Sequence, residues 1–321
     1  MIKELKKNNQ ILCTSRNYRE VVQLAKLRKM KLAFVGKHGG ADRIDKLNAS
    51  LQRTVGLTKK IQKFKPDLTI SFCSPEASRI SYGLKIRHIA FCDSPHAEAV
   101  MRLCLPLVQK LLIPWIIPKK EFTKYGIDAK DIIPYKAIDA AIIVKNSANL
   151  QNDGTSKDIL IRVGEDQAAY LQGQDKTFPI IKAIVMKFPN HRVLVLPRYA
   201  SQIGKLRQTF GNKIHVLDKV AIGNSLLQNT GVFLGSGGTM TAESALLGIP
   251  TISYNAVPNL VQDYLVRKRL VVLEQSPKKI VRLIEKMLFA ENKQLKKNAK
   301  ETLASMEDPL KKLIKIIKTP S

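Results

Sequence analysis

The sequence predicts an α/β protein of two parallel-sheet domains facing each other across a cleft. Three observations carry the prediction. Short β-rich runs alternate with helical patterns from one end to the other, the signature of parallel α/β architecture. A polar stretch at 146–156, opening Asn146-Ser147-Ala148-Asn149, has the composition of a linker. The run 235–250 reads as a glycine-rich turn, a helix and a second tight turn set between two short strands.

In the first half, strands are expected at 10–15, 31–35, 67–72, 88–92, 110–113 and 140–144, with helices at 18–29 and 43–64. The second of these helices repeats apolar residues at Ile44, Leu47, Leu51 and Val55, a helical period. In the second half, strands are expected at 159–163, 191–196, 213–217, 231–234, 250–254 and 270–273. The helices there fall at 179–187, 203–210, 239–247 and 277–289. The domain boundary falls near the polar stretch, giving 1–148 and 149–321, with the last helix free to pack back on the first domain.

The opening is unusual. A doubly wound domain begins with a central strand, whereas this chain begins with what reads as the end of a helix running into the strand at 10–15. Either the true start lies upstream or the domain lacks its first strand. Loss of a central strand leaves buried backbone groups unpaired, at about 1–3 kcal/mol each, which favours an upstream start. A protein that unfolds at moderate temperature is the expected result for the sequence as it stands.

Among 321 residues, 54 Lys and Arg face 26 Asp and Glu, a formal net charge of +28. Such a surface attracts nucleic acid, anionic lipid or polyphosphate; a general lysine bias explains it equally well. Cys13, Cys73, Cys92 and Cys104 lack the close spacing of zinc or redox motifs, so reduced thiols in a cytoplasmic protein are expected. No secretory leader is read at the start, and the apolar segment 103–118 is broken by Gln109, Lys110 and prolines.

The chemistry concentrates in Gly235-Ser236-Gly237-Gly238-Thr239. Glycines let a backbone approach a ligand closely, and the helix after them points free N–H groups at the turn, a ready anion site. Ser236 and Thr239 can add hydroxyl donors, capping of the helix being their structural alternative. Glu243, in the same helix, suits ribose hydroxyls better than phosphate. The ligand these features describe is a nucleotide, most simply a nucleotide-sugar.

The run 235–250 resembles the donor-site motif of GT-B glycosyltransferases and of UDP-N-acetylglucosamine 2-epimerases. Over nearly its whole length the chain resembles the archaeal family called domain of unknown function 354. The matching stretches are Cys13-Thr14-Ser15-Arg16, Gly36-Lys37-His38-Gly39-Gly40, Phe91-Cys92-Asp93-Ser94-Pro95-His96, Leu196-Pro197-Arg198-Tyr199 and the glycine run. The resemblance implies two Rossmann-like domains in a GT-B-like arrangement, the first without its opening strand. It also implies a UDP-sugar held by the second domain, with glycines on the diphosphate and Glu243 on the ribose.

Other candidates lie at predicted strand ends. His38 is a candidate base or sugar contact, or an exposed turn residue. Asp93 and His96 could orient and deprotonate an acceptor hydroxyl; alternatively Asp93 caps a helix starting at Pro95, with His96 in its first turn. Glu76 is placed equivalently, although a first-turn glutamate also suits the helix dipole. Arg162 and Arg198 could clamp a diphosphate. No metal-binding constellation appears and no cofactor is called for beyond the donor. The terminal run 309–318 is a basic amphipathic helix, suited to an anionic membrane or to packing on the protein.

The preferred reading is a metal-independent glycosyltransferase that takes a UDP-sugar and passes the sugar to a lipid or polysaccharide. It would be cytoplasmic, with the inner face of the membrane as a peripheral location. A UDP-sugar 2-epimerase is the second reading. A non-enzymatic protein binding RNA or an anionic surface is the third, though no RNA-binding module is recognisable.

Overall fold

A computed structural model of the chain describes residues 1–40, 42–146, 156–164, 177–218, 223–254 and 258–318. The chain forms two compact units, unit 1 from Met1–Ala137 and Asp308–Ser321, and unit 2 from Ile138–Glu307. Most of the linker-like stretch, 147–155, lies outside the described residues.

In unit 1, β1 (Thr14–Ser15) and β2 (Ala33–Phe34) pair with each other in parallel. A separate parallel sheet contains β3 (Leu68–Ser71), β4 (Arg87–Phe91), β5 (Lys110–Pro114) and β6 (Ile132–Tyr135) in that order. Unit 2 has one sheet, assembled from β7 (Ile159–Arg162), β8 (Val193–Leu196), β9 (His215–Val216), β10 (Val232–Gly235), β11 (Thr251–Ser253) and β12 (Val272–Leu273). Its order is β12-β11-β10-β7-β8-β9, so the first strand is central and the chain winds outward from it in both directions.

Unit 2 serves as a template for what unit 1 lacks. Its β7 lies between β8 and β10; the matching place in unit 1, between β1 and β3, holds no strand among the described residues. The doubly wound order is therefore interrupted at its centre, as expected from the opening residues. A side-chain bridge spans the gap at one end: Arg16, just after β1, reaches Glu76, just beyond β3, at 2.6 Å. The packing reflects the interruption. All four residues of β3 are only half-buried, whereas all four of β10 are buried.

Local chemistry accounts for most element boundaries. The helix Arg43–Phe64 begins where the Asp42 carboxylate accepts from the amides of Ile44 at 2.8 Å and Asp45 at 3.0 Å. It ends at Lys65, in the left-handed region at φ 51°. The apolar row read from the sequence is not its buried face, since Ile44 is 68 % exposed and Leu51 56 %. The buried residues are Arg53 and Leu57, with Leu57 packed against Val35 and Ile80.

Two expectations are corrected here. The predicted strand 140–144 is a helix, Asp139–Lys145, whose buried residues Ala140, Ala141 and Val144 follow a helical spacing. Strand β6 was not anticipated because Pro134 interrupts its pattern; β6 is the last strand of its sheet, where proline is tolerated.

The basic helix Pro309–Lys318 packs within unit 1. Leu313 is fully buried, Arg87 donates to the carbonyls of Ile316 and Ile317 at 2.8 and 3.3 Å, and Lys312 donates to Pro134 O at 2.6 Å. Among the described residues no helix is long and apolar enough to cross a membrane. The cysteines are free thiols, and three of them gather where their spacing gave no hint. Hydrogen bonds to Cys104 and Cys92, together with burial, raise the Cys73 thiol pKa.

These features set two expectations. In hydrogen–deuterium exchange, amides of 14–15 and 68–71 should exchange faster than those of β7 and β10, because β1 and β3 are paired on one side only whereas β7 and β10 are paired on both. Equal protection in β3 and β10 would contradict the open centre. The second concerns His88, fully buried in β4, whose Nε2 lies 2.9 Å from the Ser71 hydroxyl. Burial pushes its pKa down from 6.5 to about 4. The unfolded chain binds that proton first, so unit 1 should lose stability as pH falls from 6.5 towards about 4. The loss attributable to this residue is up to about 3 kcal/mol. Denaturant titrations followed by Trp115, the single tryptophan, should show this slope, and His88→Gln should flatten it.

Candidate functional site

The glycine-rich turn leaves the end of β10, and β10 is the strand that pairs with β7. Strand order reverses between these two, at the point where open parallel sheets form a crevice for ligands. The three glycines have different tasks. A Cβ at Gly235 would lie 2.4 Å from Thr241 Oγ1 and 2.7 Å from the Phe233 ring, so this position is closed by packing. Gly237 and Gly238 adopt φ +87° and +82°, in the region that favours glycine. A Cβ on Gly238 would meet nothing within 4 Å.

Gly238 is the N-cap of the helix Thr239–Leu246 and no side chain caps it. The first-turn amides therefore have no intrahelical partner, and the positive end of the helix dipole points towards the turn. Thr241 Oγ1 donates back to Gly237 O at 3.1 Å, which helps fix the turn. Ser236 is half-buried and Thr239 exposed, whereas Glu243 is only 8 % exposed and lies in the continuous buried run 241–246. That helix packs against Asp139–Lys145, within the same unit.

The neighbouring strand ends are braced by hydrogen bonds. Tyr254, just after β11, donates its hydroxyl to Arg162 O at 2.9 Å, joining the ends of β11 and β7. The Arg162 guanidinium donates to Pro197 O at 2.6 Å, so part of it holds the end of β8. Buried Gln202 accepts from the amides of Arg198 and Tyr199 at 2.7 and 3.1 Å and donates to Gly164 O at 3.3 Å. It thereby closes a capping box at the start of Ala200–Phe210. The Arg198 side chain is exposed, with its guanidinium 5.9 Å from the Tyr199 ring centre. Sequence reading missed Gln202 and Tyr254; the glutamine three residues after Tyr199 was the available signal.

In unit 1, His38 follows β2 and its ring lies 5.5 Å from that of Tyr18. The Gly40 amide donates to His38 Nδ1 at 3.1 Å, which leaves the neutral ring with its proton on Nε2. In that form Nε2 is a hydrogen-bond donor, a better fit to ligand contact than to proton abstraction. Asp93 does not cap a helix; its carboxylate accepts from the Ser94 hydroxyl at 2.6 Å. The helix starts at Glu98, after Ala97, and leaves His96 exposed in the preceding turn. Among the described residues no hydrogen bond or ion pair joins His38 to Asp93 or His96.

Glu76 is 2 % exposed and fully engaged. Its oxygens accept from Arg16 at 2.6 Å, Ser50 at 2.9 Å and Ser74 at 3.0 Å, and Arg53 Nε lies 3.7 Å away. Burial raises its pKa, but the Arg16 hydrogen bond and charge, with Ser50, reverse that and hold it below the usual carboxylate value. It is a fixed anion with no proton to exchange near neutrality.

A family model described as a protein of unknown function (DUF354) matches residues 1–319, and the chain belongs to that family. An uncharacterised protein of Methanocaldococcus jannaschii is 28 % identical over 300 residues, covering 89 % of this chain and 86 % of that protein. Among solved structures, the UDP-GlcNAc 2-epimerase of Neisseria meningitidis bound to UDP-GlcNAc is similar with a TM-score of 0.70 and 18 % identity. The match covers 98 % of this chain and 95 % of that one. The spinosyn rhamnosyltransferase SpnG in complex with spinosyn aglycone gives 0.63 and 12 % identity, over 98 % and 94 % of the two chains. At these identities the structural matches establish the fold: α/β, with the parallel sheets of GT-B enzymes.

The glycine geometry yields a direct test. Gly238→Ala should cost about 1–3 kcal/mol of unit 2 stability, because its φ of 82° with ψ of -169° lies in a region essentially reserved for glycine. It should also remove most nucleotide affinity, because the methyl projects into open space at the turn. Gly235→Ala should destabilise far more, through its clash with Thr241 and Phe233. Melting curves with and without UDP separate the two effects.

Proposed function

We propose that the chain is a nucleotide-sugar-dependent glycosyltransferase with a UDP-sugar as donor. The observation that carries the reading is the uncapped glycine turn at the strand-order reversal of unit 2, where N–H groups and a helix dipole converge. The donor diphosphate would lie on Ser236, Gly237, Gly238 and Thr239, with Glu243 on the ribose hydroxyls. Arg198, whose side chain is exposed beside this sheet edge, would neutralise charge on the departing UDP, and Arg162 would hold the backbone that presents it.

In the transfer, an acceptor hydroxyl oxygen bonds to the anomeric carbon while the bond from that carbon to the diphosphate oxygen breaks. The electron pair leaves with UDP and the hydroxyl proton passes to a base. Asp93 and His96, at the end of β4, are the candidates for that base. His38, with Nδ1 occupied, is assigned to contacting the acceptor. The reading requires no metal, since the turn amides and arginines supply the positive charge.

A 2-epimerase is the second reading, favoured by the higher TM-score to the Neisseria meningitidis enzyme. Against it, Glu76 is locked between arginines and cannot serve as an acid–base group. Attachment to an anionic membrane through Pro309–Lys318 loses support, because Leu313 on its apolar face is buried.

Thermal shift over a panel of nucleotides and nucleotide-sugars should reveal selective stabilisation by UDP-sugars, about 2.7 kcal/mol at a hundredfold excess over Kd. Glu243→Ala should weaken UDP-sugars and UDP alike. Labelled sugar appearing in a cell-lipid or polysaccharide fraction supports transfer. Conversion at carbon 2 without any acceptor supports the epimerase, and no nucleotide binding at all overturns both.

A further inference from the structure

Unit 1 contains a charge cluster that donor chemistry does not use. Arg16 follows β1, His38 follows β2, and Glu76 lies just beyond β3, so three successive strand ends converge on it. The helix Arg43–Phe64 adds Ser50 and Arg53 from the side. Two guanidinium groups share one carboxylate, and no other carboxylate forms an ion pair with either among the described residues. One positive charge is left over in a largely buried setting. Arg53 is 7 % exposed, and its Nε has no hydrogen-bond partner, although another of its nitrogens donates to Val35 O.

The exposed side of the cluster consists of hydrogen-bond donors. The Arg16 side chain is 34 % exposed and is steadied from behind by Glu76. Tyr18, whose amide donates to Arg16 O at 3.1 Å, lies against the His38 ring. His38 is exposed, and because the Gly40 amide donates to Nδ1 its neutral ring offers an N–H at Nε2. Lys37, next in sequence, is exposed. A planar guanidinium, an imidazole N–H and a surplus positive charge match a phosphate group, which offers several acceptor oxygens and negative charge at once. A neutral sugar would leave the surplus charge unanswered.

We propose that Arg16, Tyr18 and His38 form a phosphate-recognition site for the second substrate, which is therefore a phosphorylated acceptor. The proposal rests on the glycosyltransferase reading only for calling the phosphate compound an acceptor; the site itself stands on unit 1 alone. Glu76 and Arg53 are positioning residues. They hold Arg16 at the end of β1 and keep the local charge positive. Two sources share this chemistry, a soluble sugar or polyol phosphate and a lipid phosphate headgroup.

The test uses the whole chain with UDP at saturation, so that the glycine turn of unit 2 is occupied. Binding of glycerol 2-phosphate is followed by phosphorus NMR line broadening, with excess glycerol or acetate added as competitors that should not reverse it. Sedimentation with phosphatidylcholine vesicles, with and without phosphatidic acid, gives the lipid arm. Expected is binding in one arm that Arg16→Gln weakens by about ten- to a hundredfold, the scale of a lost charge-assisted hydrogen bond. His38→Gln should weaken it less. Arg102→Gln, which removes an exposed charge paired with Glu98 elsewhere on unit 1, should leave it unchanged. Because Arg16→Gln also touches the Glu76 bridge, Tyr18→Phe and His38→Gln provide variants outside that ion pair.

No binding in either arm, or binding indifferent to Arg16, Tyr18 and His38, overturns the proposal. UDP affinity measured without phosphate separates the two readings. Loss of UDP binding with an intact Arg16-dependent phosphate site sinks the donor assignment and spares this one; the reverse result does the opposite.

Discussion

In unit 2 the constraint on which everything else depends is the parallel pairing of β10 with β7. A parallel sheet that winds outward from its first strand must reverse direction once, and the turns on either side of that reversal diverge. A ligand can enter only where neighbouring strand ends do not send their connections the same way. The glycines of 235–238 lie at that one place in the sheet. Gly237 and Gly238 have positive φ values, and the proposed donor site rests on the main-chain amides of the turn that they shape. The bonds of Gln202 and Tyr254 make the adjoining strand ends rigid, as a preorganised anion site requires.

Unit 1 meets the same constraint with a piece removed. Among the described residues no strand links β1 to β3, and a side-chain lattice of Arg16, Glu76, Arg53, Ser50 and Ser74 joins the parts at one end. Buried ion pairs of this kind contribute little net stability, because desolvation offsets most of the attraction, yet breaking one partner is costly. Their usefulness here is geometric. A buried carboxylate that accepts hydrogen bonds from Arg16, Ser50 and Ser74 holds the arginine in one orientation, which nonspecific packing would not do.

The α/β class and the glycine turn were legible because both rest on local rules. Helix Arg43–Phe64 could be placed from its apolar period. What failed required knowledge of the tertiary surroundings. The run Ala140–Val144 is too short for periodicity to distinguish strand from helix, and only its packing against the glycine-turn helix decides the matter. The row Ile44, Leu47, Leu51 and Val55 has the right spacing for a buried face, but the side that packs carries Arg53 and Leu57 instead. Cys73, Cys92 and Cys104 approach one another only once three separate elements are assembled. The alternative placing of Asp93 and His96 at the start of a helix from Pro95 fails because the helix begins at Glu98; Pro95 is an attractive first residue and local signals alone give no reason to pass over it.

One feature of the chain path affects how the molecule comes into being. Helix Pro309–Lys318, clasped by Arg87 and anchored through Leu313, belongs to the unit that contains the earliest residues, while everything from Ile138 to Glu307 belongs to the other. During synthesis, unit 2 emerges whole and can condense as soon as Glu307 clears the exit tunnel. Unit 1 has by then waited, through the translation of a complete neighbour, for its closing segment. The half that emerges first is thus the last to be finished.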